Sequence, residues 1–305
     1  MSLYLCIIGS SNLDHVVNVA DFPKPGQTIT AENYQLVYGG KGANQAVAAV
    51  KSGGNVHFVS RLGNDAEGQK MCTHFAELGM NVDAVKSTSE QPTGQAIIQV
   101  NQNGENAIAV VAGANQCLDE QAIGVEAEHI QQADLVLIQL ETDFSGIKKA
   151  IDIAAQADKK IILNPAPAQI LSDDILAKLW LITPNETETE QLTGIAVTDS
   201  QSAKIAAQAL IDKGVQQVII TMGKNGVYYH SEVTSELHQG FSVKATDTTA
   251  AGDTFNGALA TALLNNKEMP EAIRFAQAAA ALSVQKSGAQ PSIPSYDEIV
   301  SFLKS

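Results

Sequence analysis

The sequence predicts an α/β protein with a doubly wound, mostly parallel sheet and a small antiparallel sheet beside it. Apolar runs of strand length recur along the chain without period-2 alternation, and helical apolar patterns lie between them. Repeated βα units with right-handed crossovers produce an open sheet that helices cover on both faces. The predicted buried strands span residues 3–8, 56–59, 135–140, 161–163, 179–182 and 218–221.

The helices between these strands are indicated by apolar residues that recur on one face. Met71 and Phe75 stand four residues apart on such a face, and the pattern stops at Gly79, a residue type common at helix C-termini. Near the end of the chain, Ser295 and Glu298 have the spacing of a capping box, in which each side chain bonds the free backbone N–H of the other residue. We therefore expect a short helix after Ser295.

Several segments break this rhythm and predict a second sheet. Residues 102–105 are rich in turn formers and join two strand-like segments as a hairpin. The strand-like segments of the second sheet are 16–19, 28–38, 95–100 and 106–111. We expect this sheet to be a lid over a ligand crevice, formed by insertions at about 14–39 and 93–112 in a single domain that spans residues 1–305.

The charge of the chain excludes one class of partner. Its 305 residues include 19 Lys and Arg against 33 Asp and Glu, a formal charge of -14, so a nucleic acid or an anionic membrane surface would be repelled on average. Any anionic ligand must instead be held by local backbone N–H groups, a helix N-terminus, a lysine or a metal. The three cysteines lack C-x-x-C spacing and no signal peptide or membrane span is recognisable, so we expect a reduced, cytoplasmic protein.

Polar clusters follow four of the predicted strands, at residues 9–14, 139–141, 183–188 and 221–226. For Asn12 or Asn185 alone, a loop side chain or a helix cap is the simpler interpretation. The carboxyl ends of parallel strands share one edge of a sheet, however. Recurrence of polar clusters at that edge favours a ligand site.

The segment Gly39-Gly40-Lys41-Gly42-Ala43-Asn44-Gln45 joins a predicted lid strand to a helix. Its glycines allow the backbone to approach a ligand closely, and the amide of Asn44 can both donate to and accept from neighbouring hydroxyls. A glycine-rich turn without a ligand explains this segment about as well. The segment is not a Walker A loop, and Gln45 stands where a dinucleotide-binding fingerprint has its last glycine.

The most informative segment is Asp247-Thr248-Thr249-Ala250-Ala251-Gly252-Asp253, which precedes an alanine-rich helical run. Small residues at 250–252 leave backbone N–H groups free at a helix start, where the helix dipole also favours an anion. Asp253 has two interpretations. It can merely complement the dipole of its helix, or, beside a phosphate-binding loop, it can take the proton of an attacking hydroxyl.

Residues 39–49 and 247–253 together resemble the two defining motifs of the ribokinase-like, or PfkB, carbohydrate kinase family, and residues 184–188 resemble its N-x-x-E motif. The resemblance runs almost from end to end of the chain. It implies a Rossmann-like α/β domain with a β-lid that transfers a phosphoryl group from ATP to the 5-hydroxyl of D-ribose, giving D-ribose 5-phosphate. It also implies Mg²⁺ and an activating monovalent cation, K⁺, and a homodimer formed through the lid.

The resemblance also assigns roles to individual positions. The sugar would be held by Asn12, Asp14, Gly40, Lys41, Asn44 and Glu141, with Asp253 as the catalytic base. The backbone of Ala250, Ala251 and Gly252 would form the anion hole. The nucleotide would contact Asn185, Thr221, Gly223, Gly226, Gly252 and Gln277, and Glu188 would act indirectly on Mg²⁺. The monovalent cation would lie at Asp247, Thr249, Ser283, Lys286, Gly288 and Ser292, mostly on backbone carbonyls.

Other functions remain open at this point. The nearest alternative is another kinase of the same family, acting on fructose, a deoxy sugar or a nucleoside. A non-catalytic sugar-binding or regulatory protein is a second alternative, although pure binding needs neither Asp253 nor the segment 185–188. A nicotinamide oxidoreductase would need the missing G-x-G-x-x-G, and a zinc hydrolase has little support because the histidines show no ligand spacing.

Overall fold

Two sheets of different construction form the protein, whose computed structural model describes residues 3–103 and 105–304. Gly104, in the predicted turn of the lid, lies outside the described residues. The strands are β1 (Leu5–Ile8), β2 (Asn12–Asn18), β3 (Asn33–Gly39), β4 (Val56–Gly63), β5 (Val85–Thr88), β6 (Gly94–Val100), β7 (Asn106–Val111), β8 (Leu135–Ile138), β9 (Lys160–Leu163), β10 (Leu181–Ile182), β11 (Gln217–Thr221), β12 (Val227–Ser231) and β13 (Ser235–His238). The helices are α1 (Lys41–Lys51), α2 (Ala66–Glu77), α3 (Glu120–Val125), α4 (Ala127–Gln131), α5 (Phe144–Gln156), α6 (Asp173–Leu176), α7 (Glu186–Thr193), α8 (Ser200–Asp212), α9 (Ala251–Leu264), α10 (Met269–Ser283) and α11 (Tyr296–Lys304).

The main sheet has nine strands within the described ranges, in the order β13-β12-β11-β10-β9-β8-β1-β4-β5. At one edge, β12 pairs antiparallel with both β11 and β13, and the other pairings are parallel. Leu5 and Ile7 of β1 pack into one hydrophobic core, and Cys6 and Ile8 pack into the other. Because helices cover both faces, the strand is apolar throughout and shows no alternation. The predicted fold class is confirmed.

Some strands differ from the predicted ranges at their ends. β10 is reduced to Leu181–Ile182, because the N–H of Leu179 donates to the carbonyl of Leu176 and closes the turn after α6. β4 continues to Gly63, since its second half pairs with β5. The predicted capping box is confirmed. The Ser295 N–H donates to Glu298 Oε2 (2.7 Å) at the start of α11, and the Glu298 N–H donates to Ser295 Oγ (3.4 Å).

The second sheet has the order β3-β2-β6-β7. β2 pairs antiparallel with β3, and β6 with β7, as hairpin chemistry predicts. The central pairing of β2 with β6 is parallel, a feature that sequence reasoning did not give. These two strands lie far apart in the sequence, so no local turn fixes their direction. All six residues of β7 are exposed to solvent.

Helices α1 and α9 pack closely enough to bring their N-terminal ends together. A Cβ at Gly257 would lie only 2.6 Å from the Cβ of Ala48, so glycine is needed for this approach. The hydroxyl of Thr261 also donates to the carbonyl of Ala49 (3.1 Å). No helix in residues 3–103 or 105–304 combines the length and apolarity needed to cross a bilayer.

Candidate active site

The start of α9 has backbone N–H groups to spare. Its N-cap residue, Ala250, lies in the left-handed region with a φ of 58°. The N–H of Ala251 donates to the Thr248 carbonyl (3.2 Å), whereas those of Ala250 and Gly252 have no protein acceptor in the described ranges. Of the predicted anion hole, the Ala251 N–H is therefore already engaged, and Ala250 and Gly252 keep free donors. Such donors at a helix start suit a phosphate group.

Asp253 lies in the first turn of α9 and is held by two amides from α1. Its Oδ2 accepts a hydrogen bond from Asn44 Nδ2 (3.0 Å), and its Oδ1 accepts one from Gln45 Nε2 (3.0 Å). The residue is only 9% exposed and lines a cavity. Burial raises the pKa of Asp253, while Lys41 and the two amides lower it and Glu141 adds to the rise. A carboxylate so placed can accept a proton.

Four carboxylates surround one lysine at this end of the sheet. Burial raises the pKa of Asp14 to about 7, and the charges of Glu141 and Asp253 add to the rise. Burial lowers the pKa of Lys41, but Asp253, Glu141, Glu188 and Asp14 outweigh it, so the net shift is upward. The lysine therefore stays charged, and the cluster offers hydrogen-bond acceptors to neutral hydroxyl groups.

The joint between β3 and α1 requires glycine twice. A Cβ at Gly39 would collide with the carboxylate of Asp14, so this glycine makes room for that side chain. Gly40 has a φ of 88°, and a Cβ there would lie 2.9 Å from Ser11 Cα. The backbone of this segment does approach a neighbour closely, as predicted, but that neighbour is the protein's own β1–β2 loop.

Glu141 and Asn12 are tied to their surroundings by hydrogen bonds. Glu141 Oε2 accepts from the Ser10 hydroxyl (2.5 Å) and from the Lys41 N–H (3.0 Å). Asn12 Oδ1 accepts from Asn115 Nδ2 (2.7 Å). The predicted sugar residues therefore lie along one edge, anchored by the β1–β2 loop and by the segment after β7.

One polar atom in this cluster lacks a partner. Asn44 Oδ1 is buried and accepts no hydrogen bond within the described residues. An unpaired buried acceptor costs free energy that a donor can recover. A sugar hydroxyl is such a donor, so the Asn44 amide fits its predicted role while its Nδ2 remains on Asp253.

A cavity of about 530 Å³ opens on the other side of Asp253. The predicted nucleotide residues line it together: Asn185, Thr221, Gly223, Gly226, Gly252 and Gln277. Asn185 and Glu188 form a capping box at the start of α7, with bonds of 2.8 and 2.9 Å. Burial raises the pKa of Glu188. Gln277 Nε2 donates to the His238 carbonyl (3.0 Å), while its buried Oε1 has no partner within the described chain.

The predicted cation segment closes on itself through Asp247. One carboxylate oxygen accepts from the Thr249 N–H (2.9 Å) and the other from the Gly288 N–H (2.8 Å). Burial raises the pKa of Asp247, but the hydrogen bonds from Thr249 and Gly288 outweigh burial and lower this pKa below its usual range. The segments 247–249 and 286–292 therefore lie together. In the part of the chain that the structure describes, no group of three or more His, Cys, Asp or Glu side chains is placed to hold a metal ion.

Sequence reasoning assigned no individual role to several polar residues that organise this site. They are Ser10, Gln45, Asn115, Gln139 and Asn164, each buried and hydrogen-bonded to a predicted site residue or to its neighbour. Gln45 and Asn115 bond residues that are more than 100 positions away in the sequence. No local motif signals such pairs, and only the position of Gln139 and Asn164 after strands could have indicated them.

The fold and the site define a phosphotransferase, since a cavity suited to a nucleotide and a polar cluster suited to hydroxyl groups meet at one buried carboxylate. Residues 2–296 match the pfkB family carbohydrate kinase. The chain is 50% identical to the ribokinase of Haemophilus influenzae over 98% of both chains, and 34% identical to the deoxyribokinase of Salmonella typhi, again over 98% of both. The structure of Arabidopsis thaliana ribokinase complexed with ribose and ATP superposes over the full length of both chains, with a TM-score of 0.94 and 33% identity. The chain therefore belongs to the pfkB family of carbohydrate kinases, as predicted.

Proposed function

We propose that this protein transfers the γ-phosphoryl group of ATP to the 5-hydroxyl of D-ribose, giving D-ribose 5-phosphate and ADP. The observation that carries the proposal is the position of Asp253, which lies between the nucleotide cavity and the cluster of Asp14, Asn44 and Glu141. The likeness to ribokinases over nearly the whole chain supports ribose as the acceptor.

The chain's own groups divide the work of phosphoryl transfer. Asp14, Asn44 and Glu141 hold the sugar, with Asn12, Gly40 and Lys41 completing the pocket. Asp253 then accepts the proton of the attacking hydroxyl as the new O–P bond forms and the bond to ADP breaks. The free N–H groups of Ala250 and Gly252 stabilise the negative charge on the transferring phosphoryl group.

Two cations belong to the proposal. Mg²⁺ would be organised indirectly by Glu188 and would neutralise phosphate charge on ATP. K⁺ would lie at the carbonyls of the segments 247–249 and 283–292 and fix the loop before α9. The bonds of Asp247 to Thr249 and Gly288 support this site, because they already bring the two segments together.

A homodimer through the lid also belongs to the proposal. The exposed residues Tyr34, Leu36, Ile97 and Val111 occupy registered positions on the lid face opposite Asp14. An apolar face and open strand edges of this kind favour association. We place the enzyme in the cytoplasm, in keeping with three free cysteines.

One coupled assay tests the function. ADP release is measured with ATP and Mg²⁺ against D-ribose, 2-deoxy-D-ribose, D-fructose and adenosine. We expect the highest kcat/KM with D-ribose. The likeness to a deoxyribokinase makes 2-deoxy-D-ribose the main competitor, and a preference for it, or for fructose or adenosine, would overturn ribose as the substrate.

A further inference from the structure

A buried glutamine links the candidate base to the ends of the main-sheet strands. Gln45, near the start of α1, is fully buried. Its Nε2 donates to Asp253 Oδ1 (3.0 Å) and to Asn164 Oδ1 (3.0 Å), and its Oε1 accepts from Gln139 Nε2 (2.7 Å). Both N–H groups and the carbonyl of this amide therefore have partners.

The partners fix the orientation of the amide. A carboxylate only accepts hydrogen bonds, so Nε2 of Gln45 must face Asp253. Asn164 uses its Nδ2 to donate to the Thr183 carbonyl (3.1 Å), so its Oδ1 is the end that faces Gln45. The remaining carbonyl of Gln45 then meets Gln139. Turning the amide over would break all of these bonds, and Gln45 is held in one orientation.

The network is anchored on rigid elements. Gln139, Asn164 and Thr183 directly follow β8, β9 and β10, which are neighbours in the main sheet. Gln45 thus connects the carboxyl ends of three parallel strands to the first turn of α9. A carboxylate held in this way keeps its position relative to the sheet.

We infer that Gln45 is a positioning residue for phosphoryl transfer, holding the carboxylate of Asp253 in the orientation and the ionised form in which it accepts the hydroxyl proton. The inference rests on the proposed function. Because Gln45 has no exposed surface, it does not touch sugar or nucleotide. It acts only through Asp253.

The charges around Asp253 make this bond matter. Lys41 faces it from α1, Glu141 from beyond β8, Asp14 from β2 and Glu188 from α7. Burial and Glu141 raise the pKa of the base, while Lys41, Gln45 and Asn44 lower it. Removing the Gln45 donor therefore raises the pKa of Asp253 further. As the pH falls, the variant loses the active, ionised carboxylate at a higher pH than the wild type does.

The test is Gln45→Met, which keeps the length of the side chain and removes the donor. We expect kcat to fall by roughly 10- to 100-fold, as for a misplaced catalytic group, with a much smaller change in the KM for sugar. The deficit should be larger at about pH 6 than at about pH 8.5, because the variant loses its ionised base at a higher pH than the wild type does. Gln217→Met, which removes the acceptor of the Tyr229 hydroxyl at the opposite end of β11, is the matched control and should keep the wild-type pH profile.

A second variant decides the matter if Gln45→Met folds poorly. Gln139→Met leaves Gln45 and Asp253 intact but frees the Gln45 carbonyl, so the same pH-dependent deficit should occur with a smaller size. A wild-type pH profile in both variants, or a deficit equal at every pH, would overturn the inference and leave Gln45 a packing residue. The rates are measured on whichever sugar the wild type phosphorylates fastest, so failure on D-ribose counts against the proposed function alone.

Discussion

The floor of the site, which comprises the carboxyl ends of the main-sheet strands and the starts of α1 and α9, differs in construction from the lid, the sheet of β2, β3, β6 and β7. On the floor, buried polar side chains bond one another, as Gln45 does with Asp253 and Gln139. In the lid, Leu36 and Val110 expose about half of their surface, and β7 is open along its whole length. The floor therefore supplies partners for most of its own polar groups, whereas the lid exposes apolar side chains and an open strand edge. A sugar supplies further partners on one face of the lid, and in the proposed dimer a second chain supplies them on the other.

This contrast predicts different responses to substitution. A buried polar network is sensitive to the loss of one member, because the remaining groups cannot turn to water. A substitution on an exposed apolar face removes only the contact with a partner molecule and leaves the fold of the chain intact. Asp14 belongs to both regions. It lies on the lid strand β2, and the charges of Glu141 and Asp253 on the floor raise its pKa.

The largest effect is expected for Asp253→Asn. Loss of a positioned base should lower kcat by about 10²–10⁴-fold while sugar and ATP still bind. The fold should survive, since the loss of a charge at a helix N-terminus costs only about 0.3–1 kcal/mol. The Asn44 amide, whose Oδ1 is unpaired, can turn to accept from the new side chain. Measuring kcat and the thermal midpoint on one preparation tests both expectations.

A matched control separates catalysis from helix capping. Asp119 accepts from the Ala122 N–H (2.8 Å) at the start of α3, outside the site. Asp119→Asn should leave both kcat and the thermal midpoint nearly unchanged, because Asn caps helices about as well as Asp. If Asp253→Asn behaved in the same way, Asp253 would only complement its helix and the floor would not contain the base.

The second effect, in size, concerns sugar affinity at Asp14. Asp14→Ala would leave buried sugar hydroxyls unpaired at about 1–3 kcal/mol each, so the KM for ribose should rise roughly 10-fold or more. The exposed Asp21→Ala, in the same insertion, is the control and should keep its KM. An unchanged KM in Asp14→Ala would place the sugar site elsewhere.

The raised pKa of Asp14 also predicts a dependence of stability on pH. Its value of about 7 in the fold exceeds the ordinary 3.8, so the folded chain resists ionising this carboxyl. Folding stability contributed by the neutral form is then lost progressively as the pH rises from about 4 to about 7. Asp14→Asn removes this loss, so without sugar it should melt a few degrees above the wild type at about pH 8, and the gap should shrink at about pH 5. A gap that does not change with pH would contradict the ionisation argument.

A smaller effect on activity is expected at the lid surface. Leu36→Asp places a charge on the face opposite Asp14, so it should convert the proposed dimer to a monomer at micromolar concentration and lower kcat/KM by less than about tenfold. Gln35→Asp changes the exposed neighbour on the other face and should leave the dimer intact. Light scattering checks both. A wild type that is monomeric with full activity would remove the dimer from the proposal.

The same contrast explains what the sequence could predict. The main sheet follows from continuous apolar runs, and the segment 247–253 locates Asp253 because small residues, a helix start and a carboxylate lie together in the sequence. The parallel pairing of β2 with β6 could not be predicted, since no turn connects them. The segment 39–49 singles out Gln45 without giving its role, because that role depends on residues 94–208 positions away. Local chemistry is readable from sequence, whereas a buried network is a property of the folded chain.

The smallest effect is expected from the monovalent cation, and it tests whether the floor is complete without ions. Asp247 joins the segments 247–249 and 286–292 just before Ala250, whose left-handed backbone starts the proposed anion hole. A cation on the neighbouring carbonyls would stiffen this loop without touching substrate, so K⁺ should raise kcat by several-fold (roughly 2 to 10 times) over Na⁺ at constant ionic strength. Asp247→Ala removes both N–H acceptors, so it should abolish the difference between the two salts and leave kcat near the Na⁺ level. Equal wild-type rates in potassium and tetramethylammonium salts would show that the hydrogen bonds of Asp247 hold the loop alone.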